Sequence, residues 1–159
     1  MTRAGLLAAR LFGSRLPTYR DLAHAERALF ARRDELLQQL VALSRRAPSF
    51  QPDFSPESLK ELERWYFELK DGPGVASVGT DEETFERAMA MYLGEVLVRN
   101  IPEFEWFVTE FAFEQGRYEI GVRRPLFALM LSRQSFPPRE RNKRGRSMWR
   151  MYEAALPPS

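Results

Sequence analysis

The sequence contains no cysteine and a single histidine, His24. Disulfides, thiolate metal sites and cysteine nucleophiles are therefore excluded, as is any multi-histidine metal site within one chain. Lysine is scarce too: of 24 basic residues, three (Lys60, Lys70 and Lys143) are lysines. That ratio reads as GC-rich codon usage rather than selection for guanidinium chemistry. No stretch approaches the roughly 20 apolar residues that a membrane-spanning helix needs. No P-loop, dinucleotide-binding glycine run, HExxH or GxSxG pattern occurs, so none of the chemistries those patterns support has a starting point. No cofactor or metal ligand set is expected. A chain without cysteine suits a reducing compartment, and a cytoplasmic location is the expectation.

What the chain does have is enough length for a core and an uneven charge distribution. At 159 residues, 44% hydrophobic and 29% charged, it reads as globular and can bury roughly 70% of its unfolded surface. Residues 1–52 carry nine arginines against four acids, a net of +5. Residues 53–114 carry five basic residues against fifteen acids, a net of −10. Residues 115–159 carry ten basic residues against three acids, a net of +7. Either the acidic middle neutralises the flanks within the fold, or the flanks form an exposed patch for an anionic partner.

Residues 1–17 hold Arg3, Arg10 and Arg15 with no acid, beside Leu6, Leu7, Leu11 and Phe12. This segment reads as a basic arm or a short helix ahead of a single α+β domain over residues 18–156. Arg-rich, acid-poor amphipathic starts also occur in targeting segments. Thr18, three residues before Asp21, is the expected cap of a helix running to about Arg46 on a leucine stripe. Pro48, Pro52 and Pro56 mark a linker. Ser55-Pro56-Glu57 then opens a second helix, which Asp71-Gly72-Pro73-Gly74 ends. Thr80 with Glu83 is the expected capping box of a third helix to Asn100, apolar on more than one side. Gly94 in its interior implies close approach by another element. Glu95, on so apolar a helix, calls for a cationic partner, with Arg123 and Arg124 as candidates.

After Pro102 the period shortens to two. Phe104, Trp106 and Val108 alternate with polar neighbours, and Phe107, Phe111 and Phe113 suggest a bulge near Thr109–Glu110. A turn at Glu114–Arg117 returns the chain through Tyr118, Ile120 and Val122. Residues 125–132 fit either a helix or a third strand, and strand is favoured because a hairpin alone is a thin sheet. A last helix opens at Ser147 and carries Met148, Trp149 and Tyr152. The expected architecture is α+β, with three to four helices packed on an antiparallel sheet of two to three strands.

Three functional readings follow. Arg139, Arg141, Lys143, Arg144 and Arg146, with Trp149 beside them, form a basic loop that could hold phosphates while the aromatic stacks on a base. Glu103, Glu105, Glu110, Glu114 and Glu119 on or near the hairpin would have to carry any acid–base chemistry, although alternating glutamates usually form the wet face of a sheet. The reading preferred on balance is a non-enzymatic protein-interaction domain, an accessory or immunity-type protein that pairs with a protein partner or with itself.

Tyr92-Leu93-Gly94-Glu95, Trp106, Tyr118-Glu119-Ile120-Gly121-Val122 and Met148-Trp149-Arg150-Met151-Tyr152 together resemble small uncharacterised proteins of actinobacterial type. Their shared pattern is a Tyr-x-Gly-Glu helix, a Trp-bearing hairpin and a closing aromatic helix. The resemblance covers roughly residues 80–155 and implies no activity.

Overall fold

In the computed structural model, which describes residues 2–133 and 147–159, the chain runs through α1 (Arg3–Gly13), α2 (Leu22–Leu43), α3 (Ser58–Asp71) and α4 (Glu82–Asn100), then β1 (Glu105–Glu110), β2 (Tyr118–Arg124) and β3 (Phe127–Met130), and ends on α5 (Ser147–Ala155). The architecture is α+β, with a three-stranded antiparallel sheet in the order β1-β2-β3. There are five α-helices among the described residues, not three or four. The additional one is α1. Thr2 Oγ1 accepts the Gly5 N–H at 3.1 Å to start it, and the Phe111 ring seats its far end against Phe12 and Gly13. No helix among the described residues is long and apolar enough to cross a membrane.

α4 is the central element, with ten of its 19 residues buried. One side meets the sheet. The other meets α3, where Phe85 stacks on Tyr66 with ring centroids 5.4 Å apart and receives Trp65 edge-on at 5.2 Å. α2 lies beside α4 on the same face of the sheet and buries Ala25, Leu36 and Leu40. Both helices start one to three residues later than the threonine caps predict. Asp21 accepts the His24 N–H and Asp81 accepts the Thr84 N–H, each at 2.8 Å. A carboxylate at the positive end of a helix is the stronger acceptor. Thr18 instead forms a lone antiparallel bridge with Arg117. Ahead of α3, Ser55 Oγ accepts the Ser58 N–H at 3.2 Å, while Glu57 takes the cap position with no side-chain cap bond.

The β1–β2 register runs without interruption from Glu105↔Arg123 to Glu110↔Tyr118, so the expected bulge is not there. Phe107 shares parity with Thr109, opposite to Trp106, which meets Gly94 of α4, and Phe111 lies beyond the end of β1. No change of face is needed. Gly116 takes φ 83° at the turn, a conformation that side chains with a Cβ avoid. Residues 127–130 are a strand, paired Arg124↔Phe127 through Gly121↔Met130. Arg124 braces the last helix from the end of the central strand, donating to the Ala155 carbonyl at 3.1 Å, where a cation meets the negative end of the helix dipole.

Candidate functional site

The residues of the Tyr-x-Gly-Glu helix converge on one joint between α4 and β1. A Cβ at Gly94 would stand 2.4 Å from Trp106 Cη2, so only glycine admits the indole. With the ring in place, its Nε1–H donates to Glu95 Oε2 at 2.9 Å, while Arg99 Nε donates to the other oxygen at 2.9 Å. Arg99 in turn lies over the Phe54 ring at 3.9 Å, and Arg33 of α2 lies over the indole at 5.0 Å. Tyr92, two positions before Gly94 and fully buried, holds the linker: its hydroxyl accepts the Phe54 N–H at 3.0 Å and bonds Ser58 Oγ at 2.7 Å. Each signature residue therefore has a structural duty.

Glu95 is partly buried and has a cationic partner, but that partner is neither of the expected arginines. Arg99 reaches it from one helical turn away, a spacing at which glutamate and arginine pair readily. Arg123 instead donates to Glu105 at 2.8 Å across the strand pair, and Arg124 is engaged at α5. The structure does not bring Glu95 and Arg123 together.

Beside this joint runs an open groove of about 570 Å³ between α2 and α4. Its floor is aliphatic, formed by Leu37 and Val41 of α2 and Val98 of α4, with Val41 37% exposed. Trp106 and Phe54 close one wall. The charges at its rim are mostly paired locally: Arg33 with Asp34 at 2.9 Å and Arg99 with Glu95 at 2.9 Å. Arg45, exposed at the far end, has no ion pair among the described residues. Nothing in the sequence of either helix alone signals this groove, because its two sides are about 60 residues apart in the chain.

Arg139, Arg141, Lys143, Arg144 and Arg146 lie outside the described residues. Trp149 is described. Its half-buried ring carries Lys60 Nζ at 3.9 Å and stacks with Tyr152 at 5.7 Å, so it works as a packing residue between α5 and α3. The hairpin glutamates do not all form a wet face, since Glu119 of β2 is buried. Glu105 pairs with Arg123, Glu114 pairs with Arg117, and Glu110 accepts the Gly116 N–H at 3.2 Å. No group of acids or histidine able to hold a metal ion occurs among the described residues.

Two perturbed groups went unnoticed in the sequence. Glu63 of α3 is fully buried, and its Oε1 accepts the Ser147 N–H at 3.2 Å, capping α5 from a neighbouring helix. Burial pushes its carboxyl above the usual range, against the opposing pull of the Ser147 bonds and Arg150. Tyr66, also fully buried, donates to Glu86. Burial first, and then the adjacent carboxylate, push its hydroxyl far above the ordinary tyrosine value. Both contacts tie helices together.

A family model described as "Uncharacterised protein YwmA" matches residues 18–156, leaving α1 ahead of the matched region. Among curated proteins, the Uncharacterized protein YwmA of Bacillus subtilis (strain 168) is 31% identical over 71 residues, which is 45% of this chain and 45% of the relative. The match thus spans less than half of that relative's length. No solved structure matches the chain. These comparisons support an uncharacterised family with a Bacillus member and do not support the actinobacterial grouping. With the family model covering residues 18–156, the chain belongs to the YwmA family.

Proposed function

We propose that this protein is a non-enzymatic interaction domain of a bacterial accessory protein, and that the α2–α4 groove receives an amphipathic helix of a protein partner. The observation that carries this reading is the solvent-open aliphatic floor at Leu37, Val41 and Val98, set against the rigid Trp106–Glu95–Arg99 wall. Grooves of this form take helices whose apolar residues recur at three and four positions. An acidic residue at the end of the partner helix would meet Arg45. Glu105, Glu110 and Glu114 of the hairpin, held by local partners, lend no comparable support to acid–base chemistry.

The test is affinity capture from bacterial lysate, with and without nuclease, using wild type, Val41→Glu, Arg45→Glu and the control Leu126→Glu, which alters an exposed leucine on a distant turn. The expected result is a nuclease-resistant protein retained by wild type and Leu126→Glu and lost with both groove variants. Equal capture by all four proteins, or recovery of nucleic acid alone, would overturn the proposal.

A further inference from the structure

A second cleft, of about 640 Å³, opens where the α1–α2 corner meets the first half of α4. Its volume falls in the range of roughly 300–1,000 Å³ typical of small-molecule sites. Its floor is apolar and buried, with Leu36 from α2, Met91 from α4 and Leu131 after β3. Its mouth is charged, and local pairing occupies most of those charges. Arg87 is held by Glu83 at 2.6 Å, Arg32 by Glu35 at 3.1 Å, and Glu86 accepts from Tyr66. Arg15, at the end of the α1–α2 corner, has no ion pair among the described residues.

From this arrangement we infer a binding site for a small amphipathic anion, a monocarboxylate with an apolar body, seated with its head group on Arg15. The apolar floor rejects a fully hydrated ligand, because burying a polar body there leaves it without hydrogen bonds. A free guanidinium matches a carboxylate in a two-bonded fork. Arg87, Arg32 and Arg33 at the same mouth are each held by a neighbouring carboxylate, which leaves one guanidinium for a head group and favours a single negative charge. Arg15 lies outside the region that the family model matches, so the head-group contact belongs to this chain's own N-terminal segment.

The experiment titrates octanoate into the full chain by calorimetry, with octanol and acetate as probes that lack the charge and the apolar body respectively. Octanoate is expected to bind saturably at one per chain, with either partial probe weaker by roughly tenfold or more, the scale of one charge-assisted hydrogen bond. Arg15→Gln, a change at an exposed residue, should weaken octanoate by roughly tenfold, and Met91→Trp, which fills the cleft, should abolish binding. Octanol binding as tightly as octanoate would overturn the inference, as would an Arg15→Gln protein with unchanged affinity. So would sedimentation with phosphatidylglycerol vesicles without binding of monomeric octanoate, which would place the anion in a bilayer.

Discussion

Replacing Gly94 with alanine tests the α4–β1 joint most sharply, because helix propensity and packing pull in opposite directions there. Propensity alone favours alanine in a helix interior by about 1 kcal/mol. Packing opposes it: the added Cβ would stand 2.4 Å from Trp106 Cη2 and 2.5 Å from Leu131 Cδ1, both well inside contact distance. Leu131 can rotate aside. Trp106 cannot do so cheaply, because Glu95 holds its Nε1–H at 2.9 Å and Arg33 covers its ring. Overpacking of this kind costs about 1–3 kcal/mol, and weakening a hydrogen bond to a charged acceptor adds part of its 1.5–3 kcal/mol or so. Set against the propensity gain, the expected net destabilisation is about 2 kcal/mol. It should appear as a lower urea midpoint at unchanged slope, with reduced near-UV dichroism from a displaced indole. In a Trp106→Ala background the clash with the ring is gone, and the same alanine should cost far less or stabilise. A Gly94→Ala protein at least as stable as wild type would refute the reasoning.

Three further outcomes follow from named contacts. Tyr92→Phe removes the acceptor of the Phe54 N–H and the partner of Ser58 Oγ; it should cost about 1–2 kcal/mol and speed hydrogen exchange at the Phe54 amide, and unchanged exchange there would count against this role. Leu126, fully exposed at φ 64° in the two-residue β2–β3 turn, stores left-handed strain of about 1–2 kcal/mol; Leu126→Gly should raise stability by about 0.5 kcal/mol after the chain-entropy cost of glycine, whereas a lower urea midpoint would contradict it. Glu63 binds its proton more tightly folded than unfolded, so its burial penalty is absent below the ordinary carboxylate value and grows as pH rises through that value to the raised one. Glu63→Gln should therefore gain on wild type at about pH 7 and lose that advantage at about pH 4, and a gap of equal size at both pH values would show that burial does not set the carboxyl's affinity.

Much of the architecture was legible because it is written in local periodicity. The 3.6-residue pattern of α3 and α4, the alternation of Tyr118, Ile120 and Val122, and the stop at Gly72 each need only a short window of sequence. Gly94 was also legible, since a glycine inside so apolar a helix implies a close neighbour, and that neighbour is Trp106. Cap register was not, because Thr80 and Asp81, or Thr18 and Asp21, are all good acceptors and only backbone geometry chooses between them. The partner of Glu95 was misassigned although the clue was local: Arg99 sits four residues on, on the same helical face, and a short-range pair forms without requiring any strand to arrive. Of the two alternatives for residues 1–17, a basic arm or a short helix, the helix forms, and the choice was not legible locally because α1 is seated by Phe111, 98 positions beyond Gly13 in the chain. Both clefts share that difficulty, since each is assembled from helices distant in sequence.

Tyr92, Gly94, Glu95 and Trp106, which carry much of the resemblance, are residues whose roles the fold already accounts for. One opens space, one fills it, one holds the indole and one anchors the linker. Such a set would persist in relatives that bind quite different partners, because losing any member disturbs the seating of α4 on the sheet. It is therefore evidence about folding, and a search for function should leave it aside. The informative positions are those with no such duty: Val41 and Arg45 at the groove, and Arg15 at the second cleft, all exposed and none required by the packing around it. Surface substitutions of this kind usually change stability by less than about 0.5 kcal/mol. If the groove and cleft variants keep the wild-type urea midpoint while Gly94→Ala lowers it, any loss of binding in those variants belongs to recognition and not to folding.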